Sequence, residues 1–177
     1  MSTDARLELF RKHKGSCKTF VETGTQHGAG IIAAIKAGFS NIKSFEKSQK
    51  LAQEAQDIFE SNVHVHIINE SSTGTLFGNL VAELKEPAVF WLDAHRMDGN
   101  GKGIEDYPLR HEIRMLMQKM RVPHTILCDD RRLFERYDAT EDLILGKLNS
   151  TKWAYGLSYD TSKSSLPFDV AVYTPEV

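Results

Sequence analysis

The sequence predicts a doubly wound α/β fold: a mostly parallel sheet of seven strands, helices on both faces, and an antiparallel hairpin at the C-terminal end. Three observations carry this. Short apolar, β-branched runs alternate five times with segments of helical period, the pattern of strand–helix units joined by right-handed crossovers. The run Ala88-Val89-Phe90-Trp91-Leu92 has no polar alternation, as expected of a central strand covered on both faces. The last two apolar runs are separated only by a Ser/Lys-rich turn, so they pair as a hairpin at the sheet edge.

In chain order, Thr3 to Lys14 carries Leu7, Leu9 and Phe10 among charges and predicts an amphipathic helix packed on the rest. Cys17 to Val21 is the first strand, and Ala29 to Ala37 a helix stopped by Gly38. Asn41 to Glu46 is the second strand. Ser48 to Ser61 is a helix with Ser48 as its cap and Leu51, Ala55, Ile58 and Phe59 at helical spacing. Val63 to Ile68 is the third strand, from which His64 and His66 point the same way; no third ligand stands near them, so they read as exposed strand residues rather than a zinc pair. Thr75 to Lys85 is a helix closed by Pro87. Arg96 to Pro108, with Gly99, Gly101 and Gly103, is a loop after the fourth strand. Leu109 to Met120 is a helix whose Ile113, Leu116, Met117 and Met120 face the core. His124 to Cys128 is the fifth strand, Thr140 to Asn149 the next helix, and Trp153 to Tyr159 with Phe168 to Tyr173 the hairpin.

Composition narrows the function class. A length of 177 residues is read as one domain, 1–177, with the N-terminal helix over 1–15 packed on it. A net charge of −2 argues against a generic nucleic-acid binder, since phosphate affinity needs clustered Lys and Arg. The basic group Arg11-Lys12-His13-Lys14 reads as a solvated helix end. Cys17 and Cys128 sit beside apolar runs without metal spacing and read as small buried hydrophobes. No signal peptide, membrane span or lipidation motif is present, so the expected compartment is cytoplasmic and no membrane partner is expected.

The stretch Phe20-Val21-Glu22-Thr23-Gly24-Thr25-Gln26-His27-Gly28-Ala29-Gly30 joins strand to helix through a glycine turn. Glycines let the backbone turn sharply and a ligand approach closely. Glu46 closes the next strand, and an acid ~20 residues beyond such a turn is placed to hold a nucleotide ribose. In a dinucleotide fold the pyrophosphate lies over the turn, where a carboxylate at Glu22 repels it; a cofactor bearing an ammonium and a sulfonium is attracted instead. The glycine spacing also departs from G-x-G-x-x-G, because Gln26 stands where the second glycine belongs. Both features point to S-adenosylmethionine. His27 reads as a local packing or capping residue.

Seven strands with a terminal hairpin resemble the Rossmann-like class I S-adenosylmethionine-dependent methyltransferases over nearly the whole chain. Glu22-Thr23-Gly24 through Gly28 resembles that family's first motif in the variant E-x-G-x-x-x-G found in catechol O-methyltransferase-like enzymes. The resemblance implies that Glu22, Thr23, Gly24, Thr25 and Gly28 border the methionine part and that Glu46 binds the ribose hydroxyls. Asn69-Glu70-Ser71 falls where the family contacts adenine, which assigns Glu70 and Ser71 to the cofactor. The catechol-type enzymes hold a divalent metal between an acid ending strand four and an acidic pair ending strand five. Those positions match Asp93, which also borders the cofactor, and Asp129-Asp130. The chain differs from that type in its longer glycine-rich insert and in lacking the extra N-terminal helices that cover the acceptor.

Strand C-termini of an open α/β sheet face the ligand crevice, so Asp93, His95, Asp129 and Asp130 are expected to converge there. Three carboxylates repel one another unless a cation joins them, and oxygen ligands favour Mg²⁺, Mn²⁺ or Ca²⁺. Such an ion would orient an acceptor hydroxyl, with Asp93 and His95 as the catalytic pair and His95 or Lys102 taking the proton. The alternative is a structural cluster neutralised by Arg96, Arg131 and Arg132. The expected function is O-methylation of a small molecule or sugar, with Mg²⁺ as a second cofactor; a homodimer is compatible with it. A non-catalytic S-adenosylmethionine-binding protein, an NAD-dependent oxidoreductase and a metal-dependent hydrolase are the competing readings.

Overall fold

The structure is a computed structural model that describes residues 3–95, 107–160 and 169–176. Arg96, Lys102, the three glycines of the loop after the fourth strand, and Phe168 lie outside the described residues. One sheet holds β1 (Thr19–Thr23), β2 (Asn41–Phe45), β3 (Val65–Ile68), β4 (Ala88–Leu92), β5 (Thr125–Cys128), β6 (Tyr155–Asp160) and β7 (Val170–Pro175), in the order β3-β2-β1-β4-β5-β7-β6. The first five strands are parallel to their neighbours, while β7 runs antiparallel to both β5 and β6. This is the expected architecture.

The helices are α1 (Thr3–Lys14), α2 (Ala29–Ala37), α3 (Gln49–Phe59), α4 (Thr75–Glu83), α5 (Leu109–Lys119) and α6 (Glu141–Leu148). They divide the core in two. On one face Leu9 and Phe10 of α1 and Ile31, Ala33 and Ala34 of α2 pack on Phe20, Ile42, Val89 and Trp91. On the other, Phe77 and Val81 of α4, Ile113 and Leu116 of α5, and Ile144 and Leu148 of α6 cover Val21, Phe45, Phe90 and Ile126. Adjacent strand residues thus feed opposite faces, and all five residues of β4 are buried, as its unbroken apolar run predicts. The expected caps form: Ser48 Oγ accepts from Leu51 N–H and Thr140 Oγ1 from Leu143 N–H. His64 and His66 are exposed beside the edge strand β3, and Cys128 is buried in the core.

Two local differences matter. β1 starts two residues later than its apolar run suggests and extends through Thr23, because Glu22 pairs in register with Ser44 and Trp91 inside the sheet. The segment after β5, unassigned in the sequence, forms two short 3-10 turns at Arg131–Leu133 and Glu135–Tyr137. Among the described residues no helix is long and apolar enough to cross a membrane.

Candidate functional site

The chain builds outward from β1 in one direction through β2 and β3, then returns to place β4 on the other side of β1. At such a reversal the connections leave in opposite directions and open a crevice beyond the strand ends. A cavity of about 540 Å³ lies there. Its wall comes from the β1–α2 turn (Gly24, Gln26, His27), the end of β2 and start of α3 (Phe45 to Ser48, Leu51), the loop after β3 (Glu70 to Ser72), the end of β4 (Asp93 to His95), and Pro108.

Gly24 is required twice over. Its φ of +84° lies in the left-handed region, and a Cβ there would stand 2.8 Å from the Asp93 carbonyl oxygen. We expect Gly24→Ala to destabilise the fold by at least ~2 kcal/mol, read by chemical denaturation, because neither the backbone angle nor the backbone neighbour can relax cheaply. Gly28, also left-handed, begins α2 with the Phe59 ring against its Cα. Glu46 is held by backbone: Oε2 accepts the Gln26 N–H and Oε1 the Ser48 N–H, both at 2.9 Å. Each oxygen keeps a lone pair for a ligand hydroxyl. Asn69 buttresses the same corner by donating to the Glu46 carbonyl at 2.8 Å. Glu70 and Ser71 line the cavity, and Glu70 also accepts the Leu76 N–H and so caps α4.

Glu22, Thr23, Thr25 and Gly28 stand under the loop rather than among the residues lining the cavity. Glu22 Oε2 accepts from Ser44 Oγ at 2.6 Å, Ser44 Oγ meets Thr25 Oγ1 at 2.6 Å, and Oε1 lies where a Cβ on Gly30 would be. Burial pushes the Glu22 carboxyl up to about 8, against the opposing hydrogen bond from Ser44. Burial thus disfavours the charge on which the sequence argument against a pyrophosphate rests, while the carboxyl fills the space beside Gly30 and shapes the turn.

At the β4 and β5 ends, His95 Nε2 lies 2.9 Å from Asp130 Oδ2, and His95 Nδ1 3.6 Å from Asp93 Oδ1. Arg6 of α1 reaches Asp93 Oδ2 at 3.4 Å. Arg132 meets Asp130 and Asp169, and Arg131 pairs with Glu141. Burial, then the neighbouring Asp129 charge, raises Asp93 to about 7. Burial and Asp130 raise Asp129 to about 6. Burial pushes Asp130 up as well, but His95 and Arg132 outweigh it and hold the carboxyl below its ordinary value, while the Asp130 contact raises His95. The result is a hydrogen-bonded His95–Asp130 pair, biased toward the charged imidazole, beside a second carboxyl that burial holds up near neutrality.

This differs from the expected metal site. Among the described residues Asp93 groups with His95 and Asp130, donors within 4.8 Å of one another, while Asp129 groups with Asp130 and Asp169. The oxygen-only trio Asp93, Asp129, Asp130 that would suit Mg²⁺ does not converge, and protein cations already face Asp93 and Asp130. Sequence reasoning missed Arg6, Ser44 and Ser72. The legible signal for Arg6 was in its helix, where it sits beside the inward Ala5, Leu9 and Phe10.

No protein-family model matches the sequence, and no curated protein matches it either. Solved structures do match in shape. A methyltransferase of Podospora anserina bound to S-adenosylhomocysteine superposes with a TM-score of 0.63 at 14% identity, over 99% of this chain and 78% of that one. An N-methyltransferase, NodS, of Bradyrhizobium japonicum gives 0.61 at 10% identity, over 97% and 93%. A geranyl diphosphate methyltransferase in complex with S-adenosylmethionine gives 0.61 at 12%, over 98% and 85%. The chain therefore has the Rossmann-like fold of the class I S-adenosylmethionine-dependent methyltransferases, with the antiparallel β5-β7-β6 end that accompanies it.

Proposed function

We propose that the chain is an S-adenosylmethionine-dependent methyltransferase acting on an oxygen of a small acceptor, with Asp93 and His95 as its catalytic pair, Asp93 accepting the proton and His95 supporting it. The observation that carries this reading is the crevice at the β1/β4 reversal, where the backbone-clamped Glu46 faces the same cavity as Asp93 and His95, with Asp130 paired to His95. Its residues suit the cofactor: Glu46 for the ribose hydroxyls, Gly24 for close approach, Glu70 and Ser71 beside the base, Leu51 and Phe45 as apolar wall. When bound, S-adenosylmethionine supplies an electrophilic methyl on sulfur, and its transfer to oxygen leaves a methyl ether and S-adenosylhomocysteine.

The remaining work is the protein's. Asp93, poised near pH 7, takes the acceptor's hydroxyl proton as the new bond forms, and the adjoining His95 stabilises the carboxylate before and after. Asp130 fixes the imidazole, and Arg6 holds the other Asp93 oxygen. A second, metal-assisted reading is favoured by the three close donors Asp93, His95 and Asp130; an imidazole-containing set suits Fe²⁺ or Zn²⁺ better than Mg²⁺.

The test is calorimetric titration of S-adenosylhomocysteine into the protein, repeated with NADH and after EDTA treatment. We expect micromolar binding without NADH binding, retained in EDTA, and at least ~10-fold weaker binding in Glu46→Ala because two ligand hydroxyls and the loop lose their acceptor. Binding of NADH instead would support the oxidoreductase; binding of neither would remove the proposal. Loss of methyl transfer but not of binding in EDTA would favour the metal-assisted reading.

A further inference from the structure

Glu112 lies outside every role described above, yet it is one of the most deeply buried charged side chains, 1% exposed in the first turn of α5. Its carboxyl accepts hydrogen bonds from the hydroxyls of Ser72 and Thr23. These belong to two segments distant in sequence: Ser72 lines the cavity in the loop after β3, and Thr23 ends β1. Thr23 Oγ1 in turn accepts the backbone N–H of Asp93 at 3.3 Å, sharing it with the Thr23 backbone carbonyl at the same distance. A continuous path therefore runs from the Asp93 backbone through the Thr23 hydroxyl to Glu112, and back out to the cavity wall at Ser72.

We infer that Glu112 is a positioning residue that sets the cofactor wall and the Asp93 backbone in register with each other. The chemistry favours this over a role in stability alone. Burying a carboxyl is expensive, and an amide or a shorter hydroxyl would tie two hydroxyls at smaller cost. Glu112 moreover leaves Oε1 without a partner, so the fold accepts an incompletely satisfied group at this point. Its remaining advantage is geometric. A carboxylate has no proton to donate, so both hydroxyls must point inward at it, and that orientation leaves the Thr23 oxygen facing the Asp93 N–H. The placement in the first turn of α5 offsets part of the cost, because a helix N-terminus favours negative charge. Burial holds the group near neutrality, at about 7, so it is an acceptor for both hydroxyls above that pH.

The inference rests on the cavity being the cofactor site, and the test separates the two. Backbone amide exchange at Asp93 and across residues 71–73 would be followed by NMR in the ligand-free protein, wild type against Glu112→Gln and Ser72→Ala. S-adenosylhomocysteine would then be titrated into each, with the double variant completing a cycle. In Glu112→Gln we expect local exchange about 10-fold faster at both places, with exchange in the β4 core unchanged, and about 10-fold weaker binding. Ser72→Ala should lose about threefold, and the double variant no more than Glu112→Gln, since both break the same path. A purely structural glutamate would lower global stability, accelerate exchange everywhere and give additive losses; that outcome, or unchanged exchange and affinity in a folded Glu112→Gln, overturns the inference. If Glu112→Gln does not fold, Thr23→Val and Ser72→Ala carry the same comparison, and unchanged Asp93 exchange in both overturns it. Changed exchange in a protein that binds no S-adenosylhomocysteine would uphold the positioning path and remove the cofactor reading instead.

Discussion

Asp93→Asn is expected to lower methyl-transfer turnover by about 100-fold or more while changing the affinity for S-adenosylhomocysteine by less than about fivefold, since a general base contributes on that scale. The amide keeps the size and one acceptor oxygen of the carboxyl, so the cavity wall and the contact from Arg6 survive. What is lost is the group that takes the proton. The wild-type rate should rise with pH along an acid limb centred near 7, because Asp93 must shed its proton before it can accept another, and burial has raised it to that value. In the Asn variant the limb should vanish. Arg6→Ala gives a sharper check on direction: the guanidinium holds the Asp93 carboxyl down against burial and Asp129, so its removal should move the limb to higher pH. Release of S-adenosylhomocysteine during incubation of S-adenosylmethionine with a panel of small hydroxylated acceptors measures all three. Equal turnover in wild type and Asp93→Asn would transfer the proton to another group, and an unmoved limb in Arg6→Ala would remove the electrostatic argument. Because Asp93, His95 and Asp130 interact strongly, the midpoint belongs to the set and not to one residue.

The sequence made the architecture legible because the signals there are periodic and redundant. Ala88 to Leu92 announces a strand covered on both faces, and Ser48 and Thr140 announce helix starts that the structure repeats. Glu46 was legible from its distance to the turn. The acidic residues at the strand ends were legible as neighbours, since parallel topology delivers every strand end to one edge. Their partners were not. Which donors converge depends on side-chain direction after the strand stops, and Asp130, with φ of +54°, turns its carboxyl toward His95 and Arg132. Arg6 arrives from a helix that packs against α2 far from the strand-end motifs, and no local pattern encodes that contact. Glu22 was legible as important but not in its role. A two-residue shift of β1 puts it inside the sheet, where desolvation, invisible to spacing arguments, decides its charge.

That burial makes Glu22→Gln the most informative stability variant. At pH below 4.5 the Glu22 carboxyl is protonated in both folded and unfolded chains. Between 4.5 and about 8 the unfolded chain has released the proton while the folded protein retains it, so the folded state binds more protons and stability falls as pH rises. The difference integrates to something on the order of 5 kcal/mol by pH 9, about 2 kcal/mol of it already by pH 6. Glu112, Asp93 and Asp129 act in the same direction over narrower ranges, while the lowered His124, His13 and His66 and the lowered Asp130 act against it at acid pH, so the Glu22 contribution is read from the difference between variant and wild type. Glutamine cannot ionise, and its carbonyl still accepts from Ser44, so Glu22→Gln should melt roughly 5 °C above wild type at pH 6 and roughly 15 °C above it at pH 9. Calorimetric melts from pH 5 to 9 give both curves, and parallel curves would mean that Glu22 stays ionised beneath the turn. The same outcome bears on the cofactor. A neutral Glu22 leaves Thr25 and Ser44 hydrogen-bonded under a turn whose shape, not charge, admits the ligand, whereas an ionised one restores the repulsion that would exclude a pyrophosphate. Glu22→Gln should therefore leave S-adenosylhomocysteine affinity nearly unchanged at pH 7, and a gain in NADH binding in that variant would show the charge at work after all.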